Sequence, residues 1–492
     1  MTQAGMGETI ATRSFTDVDQ QRFAALSGDV NPMHMDPIAA RRAVFGAPVV
    51  HGVHVALWML DEVGRRRLLT GGVKDLQVRF GKPIYVGDTV TLSFGLPTDR
   101  EVTVKALVDG VETTTLKLGL DPEAPPEVSA IFPFDGPIDS PGDPVELGLS
   151  DIEGRSGTIC FAADLDAFRE AFPEAVPLVG AHRLRGLAAL SRLVGMECPG
   201  LHSIFASIRV ELTDQDDREV DYRVESVKPR INMLDMAIDG AALRGRVQAF
   251  LRPKPTRQLS AVAVAELGTD GAYAGHHALI VGGSRGLGEL AAKLVAGGGG
   301  SVTITYAVGK IEAAAVAAEI NAAGGSAATQ RYDARSPAAP QLEGLAGVTH
   351  VYYFATPRIV VDRNEFFDAA AFDGYAQIYV KGFHDLVTAL KELTAGSLRA
   401  FYPSTVYIDQ SPKEFGAYVA AKAAGEALCA HLTQHAPEIT ALAARLPRML
   451  TDQTASLVPV TTTPAIDVMR PLVELVQLSS TAQLALLRGR NT

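Results

Sequence analysis

Cysteine, tryptophan and long apolar runs are scarce in this chain. Its three cysteines, Cys160, Cys198 and Cys429, are scattered over 492 residues without CxxC spacing. That pattern excludes a disulfide framework or a paired-cysteine zinc site and suits a reducing cytoplasm. No apolar run reaches the roughly 18 residues that a membrane span needs, and the opening "MTQAGMGETIATRS" lacks the basic start and apolar stretch of a secretion signal. A cytoplasmic protein with no membrane partner is therefore expected. Basic residues are the minority: 45 Lys and Arg against 56 Asp and Glu leave a net charge of −11, which argues against nucleic acid as the main partner. The short basic runs Arg41-Arg42 and Arg65-Arg66-Arg67 read as solvated helix faces.

What the chain does have is the composition of a globular protein, 47% hydrophobic and 21% charged, in a length too great for one core. Three blocks follow one another. In residues 1–125, "FTDVDQQRFAALSGD" reads as a helix capped by Thr16, with Val18, Phe23 and Leu26 inward and Gly28 ending it. "VVHGVHVALWMLDEV" is long and apolar enough for a buried helix. "LQVRFGKPIYVGDTVTLSFGL" and "EVTVKALVDGVETTTLKLGL" alternate like antiparallel strands with Gly-Asp turns. A helix wrapped by a curved meander is the expected architecture. Residues 121–145 are crowded with proline and read as a linker.

Within residues 126–267 the pattern then returns. "VGAHRLRGLAALSRLVG" reads as a second buried helix, and "HSIFASIRVELT", "REVDYRVESVKP" and "RGRVQAFLRP" as strands. This second copy is degenerate, because nothing in it corresponds to the polar loop "SGDVNPMHMDP" of residues 27–37. In residues 268–492, a glycine-rich joint leads into "ALIVGGSRGLGELAAKLV", an apolar strand, a glycine turn and an amphipathic helix. "SVTITYA", "VTHVYYFAT", "LRAFYPSTVY" and "ITALAARLP" follow as strands separated by helical stretches, the rhythm of a parallel sheet covered on both faces. The expected fold class is thus an α+β double hot dog followed by an α/β Rossmann doubly wound parallel sheet.

From Phe15 to Leu60 the chain resembles the MaoC-like, R-specific enoyl-thioester hydratases of the hot dog fold. The resemblance rests on Ser27-Gly28-Asp29, Asn31-Pro32, His34, Asp36, Phe45-Gly46 and Val50-His51-Gly52 in order. It implies that Asp29 and His34 hold one water between them and share acid and base work at an enoyl double bond. It also implies that the Gly52 N–H, opening a helix, polarises the thioester carbonyl, and that Asn31 braces the loop. His51 and His54 are read as structural.

The third block resembles the short-chain dehydrogenase/reductases over about 200 residues. Gly282, Gly286 and Gly288 lie between strand and helix as a pyrophosphate site requires, and Tyr418 and Lys422 stand one helical turn apart, preceded by Ser404-Thr405. The resemblance implies that Lys422 lowers the phenol's pKa so that Tyr418 can pass a proton to a carbonyl oxygen. A hydroxyl would bind that oxygen. Spacing favours Thr405 and residue type favours Ser404, and Ser404 is the choice made here.

The cofactor expected is NADP(H), held by Gly282, Ser284, Arg285, Gly286, Leu287, Gly288, Tyr306, Asp333 and Lys422. The second strand ends in Tyr306-Ala307 without an acid to bind ribose hydroxyls, and Arg285 is placed for a 2′-phosphate. Two departures stand against the family pattern: Phe354-Ala355-Thr356 where Asn-Ala-Gly is usual, and Tyr379 where an asparagine is expected. Expected partners are acyl thioesters of coenzyme A or an acyl carrier protein, with a homodimer left open, and no metal is expected.

Overall fold

The computed structural model describes residues 9–126, 139–214, 219–267, 271–359, 367–394, 396–454 and 460–478. The middle of the proline-rich linker, 127–138, and the centre of the glycine-rich joint, 268–270, lie outside them. Two compact units are present, one built from the chain up to Lys254 and the other from most of the chain beyond Pro255.

In the first unit, helix Asp17–Ser27 begins where expected. Thr16 Oγ1 accepts from the Asp19 N–H and the Asp19 carboxylate accepts from the Thr16 N–H, a reciprocal cap. Gly28 ends the helix with φ +77°, a conformation that side chains disfavour. Its buried stripe is Gln20, Phe23, Ala24 and Ser27. Val18, expected to point inward, is 53% exposed instead, because helical spacing places it off that stripe.

The strands are β1 (Thr9–Ser14), β2 (Gly72–Phe80), β3 (Thr89–Phe94), β4 (Glu101–Val108), β5 (Val111–Asp121), β6 (Ser156–Ile159), β7 (Ser203–Leu212), β8 (Val220–Lys228), β9 (Met233–Gly240) and β10 (Leu243–Leu251). They form one sheet in the order β1-β3-β4-β5-β2-β7-β10-β9-β8-β6. Counted outward from the antiparallel β2–β7 junction, the two halves run 2-5-4-3-1 and 7-10-9-8-6, the same order twice. Each half wraps a buried helix, Gly52–Arg65 in the first and Ala181–Arg192 in the second. Strands β1, β6 and β9 escape the sequence reading for physical reasons. The first two are edge strands paired on one side only, so they bury too little to impose alternation. Strand β9 does alternate, with Leu234, Met236 and Ile238 buried on one face, but Asp235 and Asp239 on the other face give it the look of a polar turn.

The second unit holds β11 (His277–Val281), β12 (Ser301–Tyr306), β13 (Ser326–Arg331), β14 (His350–Tyr353), β15 (Leu398–Thr405) and β16 (Ile439–Leu446). All pairings are parallel, in the order β13-β12-β11-β14-β15-β16. In sequence terms that is 3-2-1-4-5-6, the dinucleotide-binding order, whose ligand crevice lies beyond the carboxyl ends of the strands where the order reverses. The unit begins earlier than the expected residue 268. Helix Ala261–Ala265 packs on the glycine-turn helix Gly286–Gly297, the Ala261 N–H donates to Glu319, and the Leu259 carbonyl accepts from Lys293 Nζ. Ala261 and Val264 find their apolar partners there, so the boundary falls at Pro255.

Candidate active site

The loop between the first two helices of the first unit is held by its own side chains. Asn31 Oδ1 caps the short helix Pro32–Met35 and Asp36 caps Pro37–Arg41, each with proline in the first turn. His34 projects from the first of these. Its Nδ1–H donates to the Val49 carbonyl at 2.7 Å, which leaves Nε2 to face the site. Gln20, buried in the first helix, anchors the same carbonyl at 2.9 Å.

Asp29 is 2% exposed. Its Oδ1 accepts from the Asn31 N–H at 3.2 Å and its Oδ2 from Ser191 Oγ at 2.7 Å. Burial raises its pKa above the ordinary carboxylate value, opposed by the nearby His34 and by those hydrogen bonds. One donor atom from each of Asp29, His34 and His51 lies within 4.8 Å of the others. Beside them Gly52 opens the buried helix, and an N–H at that position has no partner within its helix. The Phe80 ring closes on this glycine so tightly that a Cβ would sit 2.8 Å from it.

Ser191 and Gly195 were invisible to the sequence reading, because both belong to the half without the motif. Ser191 lies on the Ala181–Arg192 helix and Gly195 on the π-helical turn Leu193–Glu197 that follows. A Cβ on Gly195 would collide with the Asp29 carboxylate, and the Asn31 Nδ2 donates to the Gly195 carbonyl at 2.7 Å. A serine and a glycine on a helix carry no local signal, and it is the joining of the two halves, at β2–β7 and by helix Asp17–Ser27 packing on Ala181–Arg192, that brings them to Asp29.

In the second unit the glycine turn is where the sequence puts it. Gly282 and Gly286 have φ +78° and +60°, Gly288 packs against the Gly282 carbonyl too closely for any side chain, and the space beside Gly286 is open. Ser284 is buried in this turn and Leu287 partly so, while Tyr306 ends β12 half-buried. Two residues past β13, the Asp333 carboxylate accepts from the Arg335 N–H at 3.0 Å. Arg285, expected to wait for a phosphate, pairs with the buried Asp452 at 3.3 Å.

Tyr418 and Lys422 share one side of helix Gly416–His435 and are both buried. The side-chain hydrogen bond to Tyr418 comes from Thr405, whereas Ser404 Oγ donates to Glu426 at 2.5 Å. Of the two hydroxyls, Thr405 is thus the one beside the phenol, and Ser404 bonds Glu426 instead. Adjacent residues of a strand face opposite ways, and β15 turns Thr405 toward the tyrosine. The expected depression of the phenol pKa is corrected. Burial pushes Tyr418 up to about 12, with the Thr405 hydrogen bond opposing, and burial pushes Lys422 down to about 7. Lys422 Nζ donates to the Pro403 carbonyl at 2.7 Å and lies 3.9 Å over the ring of Tyr379. The two departures from the family pattern meet: Tyr379 and Thr356 share a hydrogen bond of 2.5 Å between their hydroxyls.

A buried carboxylate beside an imidazole, with a helix N-terminus next to both, is an arrangement suited to acid–base chemistry, set here on a hot dog frame. The MaoC like domain family model matches residues 3–116. An (R)-specific enoyl-CoA hydratase of Aeromonas caviae is 34% identical over 91 residues, 18% of this chain and 68% of that one. Through this part of its length the chain belongs to the MaoC-like hydratase family. It is also 38% identical to Protein MaoC of Klebsiella aerogenes over 90 residues, of which it spans 26%, so it covers about a quarter of that relative. Among solved structures, a short chain dehydrogenase from Burkholderia cenocepacia J2315 in complex with NADP aligns at 20% identity and a TM-score of 0.38, over 43% of this chain and 94% of that one.

Proposed function

We propose that the protein is a bifunctional enzyme of acyl thioesters. In this reading the second unit reduces a 3-oxoacyl thioester with NADPH to the (R)-3-hydroxyacyl thioester, and the first, a double hot dog, dehydrates it to the trans-2-enoyl thioester or runs that step in reverse. The observation that carries it is the Asp29–His34 pair. A buried carboxyl of raised pKa and an imidazole with Nε2 turned inward can pass a proton to and from one water and the α-carbon. The Gly52 N–H stabilises the charge that grows on the thioester oxygen.

The glycine turn fits a pyrophosphate: its backbone is open at Gly286 and a helix begins behind it. Gly282, Ser284, Arg285, Gly286, Leu287, Gly288, Tyr306, Asp333 and Lys422 would hold NADP(H) there, and the bound cofactor would supply the hydride. Tyr418 gives its phenolic proton to the carbonyl oxygen while Thr405 holds the phenol.

A second reading keeps the hydratase and makes the second unit a nucleotide-binding scaffold without hydride chemistry. It is favoured by Tyr379, which stands where an asparagine is expected and whose ring lies 3.9 Å from Lys422 Nζ. One assay separates the two: a 3-oxoacyl thioester and NADPH are incubated with the protein, and cofactor oxidation is followed together with product mass. Oxidation with formation of hydroxyacyl and enoyl products supports the bifunctional enzyme. NADPH binding without turnover on any 3-oxoacyl thioester supports the scaffold.

A further inference from the structure

Given the hydratase reading of Asp29 and His34, on which this rests, we propose that His51 is a positioning residue of the hydration site, its flat face setting the plane of the His34 ring. His51 is wholly buried, so it acts through these neighbours rather than on substrate.

Its Nε2 lies 3.0 Å from the Asp29 carbonyl oxygen. Because a carbonyl can only accept, that nitrogen carries the proton and ties the aspartate's backbone to the start of the buried helix. Its ring is stacked on His34, with centroids 3.9 Å apart and planes 25° apart, and Phe23 backs it on another side at 5.1 Å. It also immediately precedes Gly52. One side chain thus bears on the carboxylate loop, on the imidazole and on the residue whose N–H faces the thioester oxygen.

The stack supplies what the hydrogen bond to Val49 cannot. A ring held at Nδ1 alone can swing about that point, and Nε2 swings with it. A flat partner pressed against its face removes that freedom, so Nε2 keeps one direction. Burial and the neighbouring His34 hold the His51 pKa well below its ordinary value, so the platform stays neutral. Burial likewise keeps His54, stacked behind on Phe23, down at about 3.

Three substitutions take the two contacts apart. His51→Phe keeps the flat face and loses the donor to Asp29. His51→Gln keeps a donor and loses the face, and His51→Leu loses both. Hydration of a crotonyl thioester is measured for each, with kcat and KM separated and rates expressed per folded protein. Misplacing a reacting group by about 1 Å costs on the order of 100-fold, so His51→Leu is expected to lower kcat by about 10- to 100-fold with KM little changed. His51→Phe should recover most of that loss, while His51→Gln stays close to His51→Leu.

Equal losses in His51→Phe and His51→Leu overturn the assignment. So does a fall in melting temperature in all three with kcat per folded protein unchanged, the signature of a purely structural residue. Where His51→Leu does not fold, His51→Phe set against His51→Gln decides: a higher kcat in Phe supports the platform, and equality or the reverse overturns it. Asp29→Asn and His34→Ala are run beside them. If those two retain hydration, the hydratase reading falls and His51 falls with it. If they abolish hydration and the His51 variants do not lower kcat, only the role of His51 falls.

Discussion

Asp29 and Lys422 are both nearly buried ionisable groups, 2% and 6% exposed, and their surroundings treat them differently. Asp29 is met by hydrogen-bond donors on each oxygen, one from its own loop and one from a helix 162 residues away. Lys422 has one carbonyl for its protons and an aromatic face, with Tyr418 one turn back on its own helix. The first site is assembled across a sheet junction, and the second from strand β15, helix Gly416–His435 and the turn that holds Tyr379. Groups that convergent hydrogen bonds hold in a fixed direction are prepared for proton transfer. Burial drives Lys422 toward neutrality and the Tyr418 phenol up.

The largest expected effect separates the two sites outright. Asp29→Asn or His34→Ala should lower crotonyl thioester hydration by about 10²- to 10⁴-fold and leave NADPH binding untouched. A loss of less than threefold in either would end the assignment of that residue. Asp29→Asn should also melt higher than wild type near neutral pH. The folded-state pKa of Asp29 lies above its unfolded value, so the folded chain binds more protons and loses stability as pH rises through that window. The asparagine is free of that loss, and thermal melts at several pH values read it.

Tyr418→Phe should remove reduction of a 3-oxoacyl thioester by a similar factor, about 10²-fold or more, without lowering hydration. Thr405→Val should cost more than Ser404→Ala, since only Thr405 bonds the phenol. The reverse order would mean that the hydroxyl on the other face of β15 is the one that serves substrate.

Ser191→Ala tests whether the second half of the sheet takes part in catalysis. A hydrogen bond to a carboxylate contributes roughly 1.5–3 kcal/mol, so kcat for hydration should drop about tenfold or more. An unchanged kcat would reduce that half to a scaffold.

The smallest effect concerns Lys422. Its folded-state pKa of about 7 lies below the ordinary 10.5, so between those values the unfolded chain binds more protons and stability rises with pH. Lys422→Met should flatten that rise for the second unit in pH-resolved melts, and an unaltered slope would show that the lysine is charged where it sits.

Much of this was legible in the chain. The cap at Thr16, the stop at Gly28, the two buried helices, the parallel character of the last sheet and the glycine turn follow from local rules, while Asp29, His34, Tyr418 and Lys422 were picked out by resemblance to known families. Those rules act over a few residues, where a cap, a glycine φ or an i,i+4 spacing is written directly in the sequence. Edge strands β1 and β6 left no such trace, and neither did Ser191 or Gly195. Residue types alone could not choose between Ser404 and Thr405, because the pleat decides which hydroxyl turns toward Tyr418. Nor could they show that Tyr379 and Thr356 are partners, that Asp452 holds Arg285, or that His51 lies flat against His34. The sequence by itself determined which groups are candidates for the proposed chemistry and which short segments present them. The tertiary structure alone decided which of those groups touch, how far each is buried and therefore which form of it is stable, since desolvation and hydrogen bonding depend on neighbours brought from far along the chain.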